Sequence, residues 1–306
     1  MNSPALSVVL CTHNPRRAYI ERTLAALSAQ TLPTSDWEFV IVDNRSDEPV
    51  EGRYDLAWRP DVRIVREEML GLTPARLRGL RETHGELLVF VDDDNVLDCD
   101  YLEQVLRIAA EHTFLGAWSG QCIGVFEDTP PAWTRRYWGN LCIRQFDQAI
   151  WSNLPRLAET MPAGAGLCIR RSVGAFYAEL HETSGRSFQF DRAGTSLLSG
   201  GDNDLAACAC RLGMGVGLLP QLRLQHLIPP QRLTADYLAK LAEGIAYSSI
   251  LLDAEWGLSA PVRDRLGRAV DLVRTLRLKG PHRLILRAYY KGRDKGARDV
   301  AARSGL

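Results

Sequence analysis

Several features are missing from this sequence, and each absence removes a class of function. Its 37 lysines and arginines match its 37 aspartates and glutamates. A neutral chain is a poor general binder of nucleic acid, whose phosphates select basic surfaces. No apolar run reaches the roughly 18 residues a helix needs to span a bilayer. Met1–Ser7 carries neither the basic start nor the apolar core of a secretory signal. The seven cysteines are odd in number, form no CxxC pair and lie mostly in apolar segments. That usage reads as reduced, buried thiols in a cytosolic protein rather than a zinc site or a disulfide framework. There is no internal repeat and no low-complexity stretch. The turn after the first apolar run, Thr12-His13-Asn14-Pro15-Arg16-Arg17, contains no glycine. This counts against a Gly-rich phosphate loop and against the GxGxxG fingerprint of a dinucleotide dehydrogenase.

The residues that are present describe a folded enzyme-sized chain. With 306 residues and 46% hydrophobic composition, a full core is available. Bases exceed acids by nine from Val262 onward, so the body before it is acidic. Apolar runs at Leu6–Cys11, Trp37–Val42, Val62–Val65 and Leu87–Val91 read as strands. Helical spacing follows at Tyr19–Gln30, at Thr73–Thr83 with Thr73 as cap and Pro74 in first position, and after Asp98 or Asp100 through Ala110. Strands that are apolar throughout and alternate with helices imply an α/β fold, its sheet covered on both faces. Phe126–Pro162 lacks regular periodicity and reads as a binding loop. Gly164–Arg170 reads as a strand, Asp202–Leu212 as a helix, and short strands lead to His226. Three helices follow, at Leu233–Leu252, Val262–Leu278 and Leu284–Ala302, broken at Gly257 and Gly280-Pro281. The expected organisation is one α/β domain over residues 1–230, with a donor half to about 115 and an acceptor half after it. A basic helical extension would cover 231–306.

Polar residues follow the strands, where open α/β sheets bind ligands. Asp92-Asp93-Asp94 ends the strand at Leu87–Val91. Three adjacent acids stay ionised together only with a cation or strong donors nearby. A divalent ion held there would take oxygen ligands, bridge to phosphates and assist a departing diphosphate. The simpler alternative is an acidic loop capping the next helix. Thr12 and Asp43 stand at two further strand ends, where a carboxylate could accept from a nucleobase or a ribose hydroxyl. Asx turn chemistry is the competing explanation.

Read together and in order, SVVLCTHN, VIVDNRSD, GLTPARLRGL, LLVFVDDDN and GGDNDL resemble the inverting family 2 glycosyltransferases of the GT-A fold. The resemblance covers Leu6 to His226. It implies a Rossmann-like nucleotide-diphospho-sugar transferase fold with a mixed central sheet, and transfer from a nucleotide-diphosphate sugar, most commonly a UDP-sugar, to a glycan or lipid-linked acceptor hydroxyl. It assigns Thr12, Asn14, Asp43, Arg76, Asp92 and Asp93 to the nucleotide sugar. Asp94, with Asp92 and a late histidine matched by His226, would hold Mn²⁺ or Mg²⁺. The family's Glu-Asp pair falls on Gly201 and Asp202, a departure at the glutamate. Asp202 matches the general base that deprotonates the acceptor, Asp204 is the runner-up, and either can instead cap the helix.

Other readings stay open on the sequence. His226 is a metal ligand or a satisfied core histidine. Trp133 and Trp138 are a sugar platform or loop anchors, and Gly164 and Gly166 let backbone approach a ligand closely. The tail interleaves Leu284, Ile285, Leu286, Tyr289 and Tyr290 with Arg283, Arg287, Lys291, Arg293 and Lys295. Such a helix would rest on anionic lipid at the inner face of a membrane, or pack on the body or on a second subunit. Two rival functions stand beside it: a non-catalytic nucleotide- or carbohydrate-binding protein that keeps the fold, and a sugar-1-phosphate nucleotidyltransferase, which also needs a nucleotide, a metal and an α/β fold but usually carries the Gly-rich loop missing here.

Overall fold

All seven residues of strand β1 (Leu6–Thr12) are buried, as a wholly apolar run predicts for a strand covered on both faces. The computed structural model describes residues 4–156, 158–183, 198–258 and 265–303. After β1 come α1 (Arg17–Ser28), β2 (Trp37–Asp43), β3 (Arg63–Arg66), α2 (Leu72–Glu82), β4 (Leu87–Asp92), β5 (Asn95–Leu97), α3 (Tyr101–Glu111), β6 (Leu115–Phe126), β7 (Ile150–Ser152), β8 (Leu167–Arg170), α4 (Arg171–Thr183), α5 (Gly201–Arg211) and β9 (Gly215–Ile228). The C-terminal helices are α6 (Ala235–Glu255), α7 (Arg265–Arg277) and α8 (Gly280–Arg303). Residues 262–264, the start of the expected second tail helix, lie outside the described residues.

Among the described residues, nine strands form one sheet in the order β3-β2-β1-β4-β8-β6-β9-β5, with β7 on β9. The β1–β2, β1–β4 and β2–β3 pairs are parallel. The pairs of β4 with β8, β8 with β6, and β9 with β5 and β7 are antiparallel. The sheet is therefore mixed. Alternate residues of β1 serve its two faces. Leu6, Val8 and Leu10 join a core cluster with Ile20, Leu24 and Leu27 of α1 and Tyr101, Val105 and Ile108 of α3. Val9 faces the other way, onto Gly79 of α2, where any Cβ would collide with it.

The chain forms two compact units. The described residues of the first lie within Met1–Val125, Cys142–Gly185 and Asp202–Ile228 and carry the sheet. Those of the second lie within Phe126–Leu141, Arg186–Gly201 and Pro229–Leu306. In the second unit, α8 packs along α6. Gly292 and Gly296 make the approach close enough that added Cβ atoms would meet Glu243 and Ile250. Ile285, expected on a lipid-facing surface, is buried, while Leu284 and Tyr289 stay exposed. Arg283 closes the C-terminus of α7, donating to the carbonyls of Leu278 and Leu276 at 2.7 and 2.9 Å, as a cation at that end should.

Several local expectations are corrected. Thr73 does not cap α2. Gly71 does, at φ 138°, a conformation that strains any side chain, and the Thr73 hydroxyl meets Tyr177 Oη at 3.1 Å. Asp100 occupies the N-cap position of α3 without a side-chain cap bond; its carboxylate accepts from Gln104 instead. The irregular stretch after Phe126 contains a 3₁₀ segment, Ala132–Leu141, and β7. The short strands before His226 are one fourteen-residue strand, β9. Among the described residues, no helix is long and apolar enough to cross a membrane.

Candidate active site

Parallel pairing brings the polar strand ends into one row. Thr12 sits beside Asp43, and Cys11 beside Asp92. The Thr12 hydroxyl donates to the Asp93 carboxylate in a very short bond, and Thr23 of α1 donates to the Asp93 carbonyl at 3.1 Å. Asn95, fully buried, locks the acidic turn: its Nδ2 donates to Asp94 Oδ1 at 3.0 Å, and its Oδ1 faces the Asp92 amide at 3.4 Å. Sequence reasoning passed over Asn95; its signal was an amide residue directly after three acids.

The β5–β9 ladder pairs Asn95 with His226. That register carries the imidazole to Asp94, with Nε2 3.3 Å from Oδ2 and both residues nearly buried. The structure thus brings together two distant residues that the family resemblance groups. Neighbouring ligands of one octahedral ion with bonds of about 2.1 Å lie about 3 Å apart, so this spacing suits a shared cation. A carboxylate oxygen with an imidazole nitrogen also suits a borderline divalent metal. Among the described residues, no three His, Cys, Asp or Glu side chains are grouped as a complete metal shell. Cys122 of β6 is buried and feels the same acids. Burial pushes its thiol well up, and the charges of Cys142, Asp94 and Asp92 add to this against Arg144.

Asp43 is occupied with holding its own loop. Its carboxylate accepts from Ser46 N at 2.8 Å, Val50 N at 3.2 Å and Arg66 Nη1 at 3.1 Å. Burial opposes the charge, but the Ser46 hydroxyl, the Ser46 and Val50 amides and Arg66 outweigh it and hold this carboxyl below its ordinary range. Asn14, at φ 50°, ties the first turn to the same loop through Ser46 and Asp47. Asn44 was also missed. It accepts from Gly71 N and donates to the carbonyls of Glu67 and Met69, all within 3.2 Å, and so fixes the loop that starts α2.

That loop aims Arg76. Its guanidinium is buried, 5.7 Å from the Phe90 ring centroid. A Cβ placed on Gly164 would lie 2.6 Å from Arg76 Nη2 and 3.2 Å from Asp202 Oδ2. Arg76 and Asp202, 126 positions apart in the sequence, therefore flank one small residue. Asp202 opens α5. Its oxygens accept from Gly164 N at 2.8 Å and Asn203 N at 2.9 Å, and it is partly exposed. Asp204, two residues on, is fully buried, with Oδ2 3.9 Å from His181 Nε2.

The remaining expected residues make local contacts. Gly166, at φ 66°, comes close to Tyr101 and Leu224 in the core, and its carbonyl accepts from Tyr101 Oη at 2.7 Å. Trp133 and Trp138 belong to the second unit. There Trp138 packs on Phe126 and donates to Thr134 Oγ1, while Trp133 packs on Tyr137 and His282.

The model of the family described as "Glycosyl transferase family 2" matches residues 7–163, just over half of the chain and ending before α5. Relatives include the putative glycosyltransferase EpsH of Bacillus subtilis, 31% identical over 117 residues, a match covering 38% of this chain and 33% of that protein. The validoxylamine A glucosyltransferase of Streptomyces hygroscopicus subsp. jinggangensis is 35% identical over 112 residues, covering 35% of this chain and 26% of the relative. The chain thus spans a third or less of these curated relatives. Among solved structures, S. aureus TarS 1-349 in complex with UDP aligns with a TM-score of 0.51 at 17% identity, covering 98% of this chain and 92% of that one. That likeness concerns the fold, which is the GT-A arrangement the motifs imply.

Proposed function

Because the chain belongs to glycosyl transferase family 2, we propose that it transfers a glycosyl group from a nucleoside-diphosphate sugar to an acceptor hydroxyl, with inversion and with help from a divalent metal. The observation that carries this reading is the meeting of Asp202, Gly164 and Arg76 in the sheet-bearing unit whose strand ends carry Thr12, Asp43 and Asp92–Asp94. The TarS fold neighbour was solved with UDP, which supports a UDP-sugar as donor.

Asp202 takes the acceptor's hydroxyl proton. The acceptor oxygen bonds to the anomeric carbon, and the bond from that carbon to the diphosphate oxygen breaks, leaving the electron pair on the diphosphate. Partial exposure favours Asp202 over the enclosed Asp204 as the base, because a base must reach the proton it removes. Arg76 supplies fixed positive charge beside that carboxylate. Asp94 and His226, with Asp92, would hold Mn²⁺ or Mg²⁺, and such an ion would supply positive charge to a leaving diphosphate. The glycan or lipid-linked nature of the acceptor rests on the family resemblance alone.

The test is a thermal-shift series with UDP, GDP and TDP and their sugars, with and without Mn²⁺ or Mg²⁺. A ligand at about 100 times its Kd stabilises by roughly 2.7 kcal/mol. The expected result is a metal-dependent shift with UDP that disappears in Asp94→Ala. No shift with any nucleotide, alone or with metal, would sink the donor reading. UDP binding without sugar transfer would move the reading to a non-catalytic binding protein, for which the Gly201 departure is the supporting feature.

A further inference from the structure

Helix α7 is folded with its polar side inward. Among its described side chains, Asp271 and Thr275 are the buried ones. Leu266, Leu272 and Leu276 are 76%, 60% and 60% exposed, and Val270 and Val273 are nearly half exposed. At 100° per residue these five share one broad arc of roughly 160° with Ala269. Arg268 and Arg274 fall at the two edges of that arc, and Arg277 falls at its C-terminal end. The inward contact is ionic: Arg293 of α8 meets Asp271 at 2.8 Å. Between α6, α7 and α8 runs a groove of about 870 Å³ lined by Asp271, Leu272, Leu284, Arg287, Lys291 and Asp294, among others. A helix in water puts such leucines inside. Here Asp271 and Thr275 occupy that side, and the apolar arc faces out, with Leu272 at its groove-side edge.

Charge indicates what covers the arc. Across residues 265–293 the sequence carries nine lysines and arginines and a single acid, Asp271, which is already paired with Arg293. A second copy of this face would set like charges against like. The matching partner is apolar at its centre and anionic at its rim, which describes a bilayer with acidic headgroups. The geometry points to α7 as a helix that lies in the interface of an anionic membrane. Leu266, Val270, Leu272, Val273 and Leu276 enter the acyl boundary, and Arg268, Arg274 and Arg277 reach up to headgroup phosphates. This differs from the lipid surface expected on α8, whose Ile285 is buried. It does not depend on which sugar or acceptor the enzyme uses.

The experiment is co-sedimentation of the full chain with vesicles of phosphatidylcholine alone or mixed with phosphatidylglycerol, at low and high salt. The parent is expected to sediment with the mixed vesicles and not with the neutral ones, and part of the binding should survive high salt. The double variant Val273→Asp/Leu276→Asp should lower the partition coefficient by on the order of a hundredfold, from the lost burial of two side chains. Its melting temperature should match the parent's, because both side chains are exposed. Three results would overturn the proposal. One is no sedimentation of the parent at low salt. Another is a double variant that binds like the parent, which would mean surface charge alone. The third is a parent dimer in sedimentation equilibrium that the double variant converts to monomer, which would assign the arc to a second copy.

Discussion

Replacing Asp43 by alanine removes the acceptor on which the loop after β2 is built. Two backbone donors, Ser46 N and Val50 N, and the Arg66 guanidinium converge on this one carboxylate at 2.8, 3.2 and 3.1 Å, and Asp43 is only 2% exposed. Each backbone donor left unpaired costs about 1–2 kcal/mol, and the half-exposed Arg66 pair adds under about 1 kcal/mol. The expected loss is therefore roughly 2–5 kcal/mol, a large part of the 5–15 kcal/mol typical of a whole domain. Asparagine keeps one oxygen and should lose about half as much. Urea unfolding reads this as a lower midpoint at unchanged slope. The pH dependence has a definite sign. The folded carboxyl titrates below its ordinary range, so its stabilisation is fully present above the unfolded value near pH 4 and is lost as pH falls through the lower folded value. The gap between parent and Asp43→Asn should hold steady from pH 7 to pH 5 and close below about pH 4. A loss under about 1 kcal/mol in Asp43→Ala at pH 7 would refute the reasoning, because it would mean the loop donors find water without cost.

Three further outcomes test the site itself. Asp202→Asn should lower the transfer rate about 10²- to 10⁴-fold while UDP binding by calorimetry stays unchanged, whereas Asp204→Asn should lower the melting temperature and leave the rate of the folded protein near the parent's. The reverse pattern would transfer the base to Asp204. Gly164→Ala puts a methyl 2.6 Å from Arg76 Nη2; the flexible end of Arg76 can yield, so stability should change by less than about 1 kcal/mol while the rate falls more than tenfold, and an unchanged rate would show that the Arg76–Asp202 spacing is unimportant. His226→Ala should weaken the Mn²⁺ dependence of the UDP-induced melting shift, and an identical metal titration would remove His226 from the metal site.

The parts of the fold legible in the sequence are those where one physical cause dominates. Runs such as Leu6–Cys11 and Leu87–Val91 are apolar because both faces are covered, and they read at once as strands. Strand β6 was illegible because its sequence, LGAWSGQCIGVF, carries three glycines that weaken any strand signal. Two of them answer to packing: Cβ atoms there would strike Ala209 at Gly116 and the Leu222 backbone at Gly120. Helix α4 was missed for a related reason, since Gly174 interrupts its pattern where a Cβ would lie 2.5 Å from Leu80. The Asp94–His226 cluster was foreseen from the family motifs, and the β5–β9 register accounts for it. The partnership of Gly164 with Arg76 and Asp202 was not foreseen, because only the tertiary fold brings those three segments together.

The strand-end residues differ in what their loss would report. The amide of Asn44 already serves Glu67, Met69 and Gly71, which leaves it little capacity for a ligand. Asn44→Ala would abolish nucleotide binding by releasing the loop that aims Arg76, and so would mimic the loss of a contact residue. Asp43 carries the same ambiguity, since its carboxylate holds three local donors before any base or ribose arrives. Asp202 is different. It is partly exposed, so water can serve whichever of the Gly164 and Asn203 amides the one oxygen of an asparagine leaves, while the capacity to take a proton is gone. Loss of activity in a strand-end variant therefore bears on chemistry only when its urea midpoint and its UDP-induced melting shift both match the parent's. By that criterion Asp202→Asn tests the chemistry, whereas Asp43 and Asn44 test the loops that place the donor.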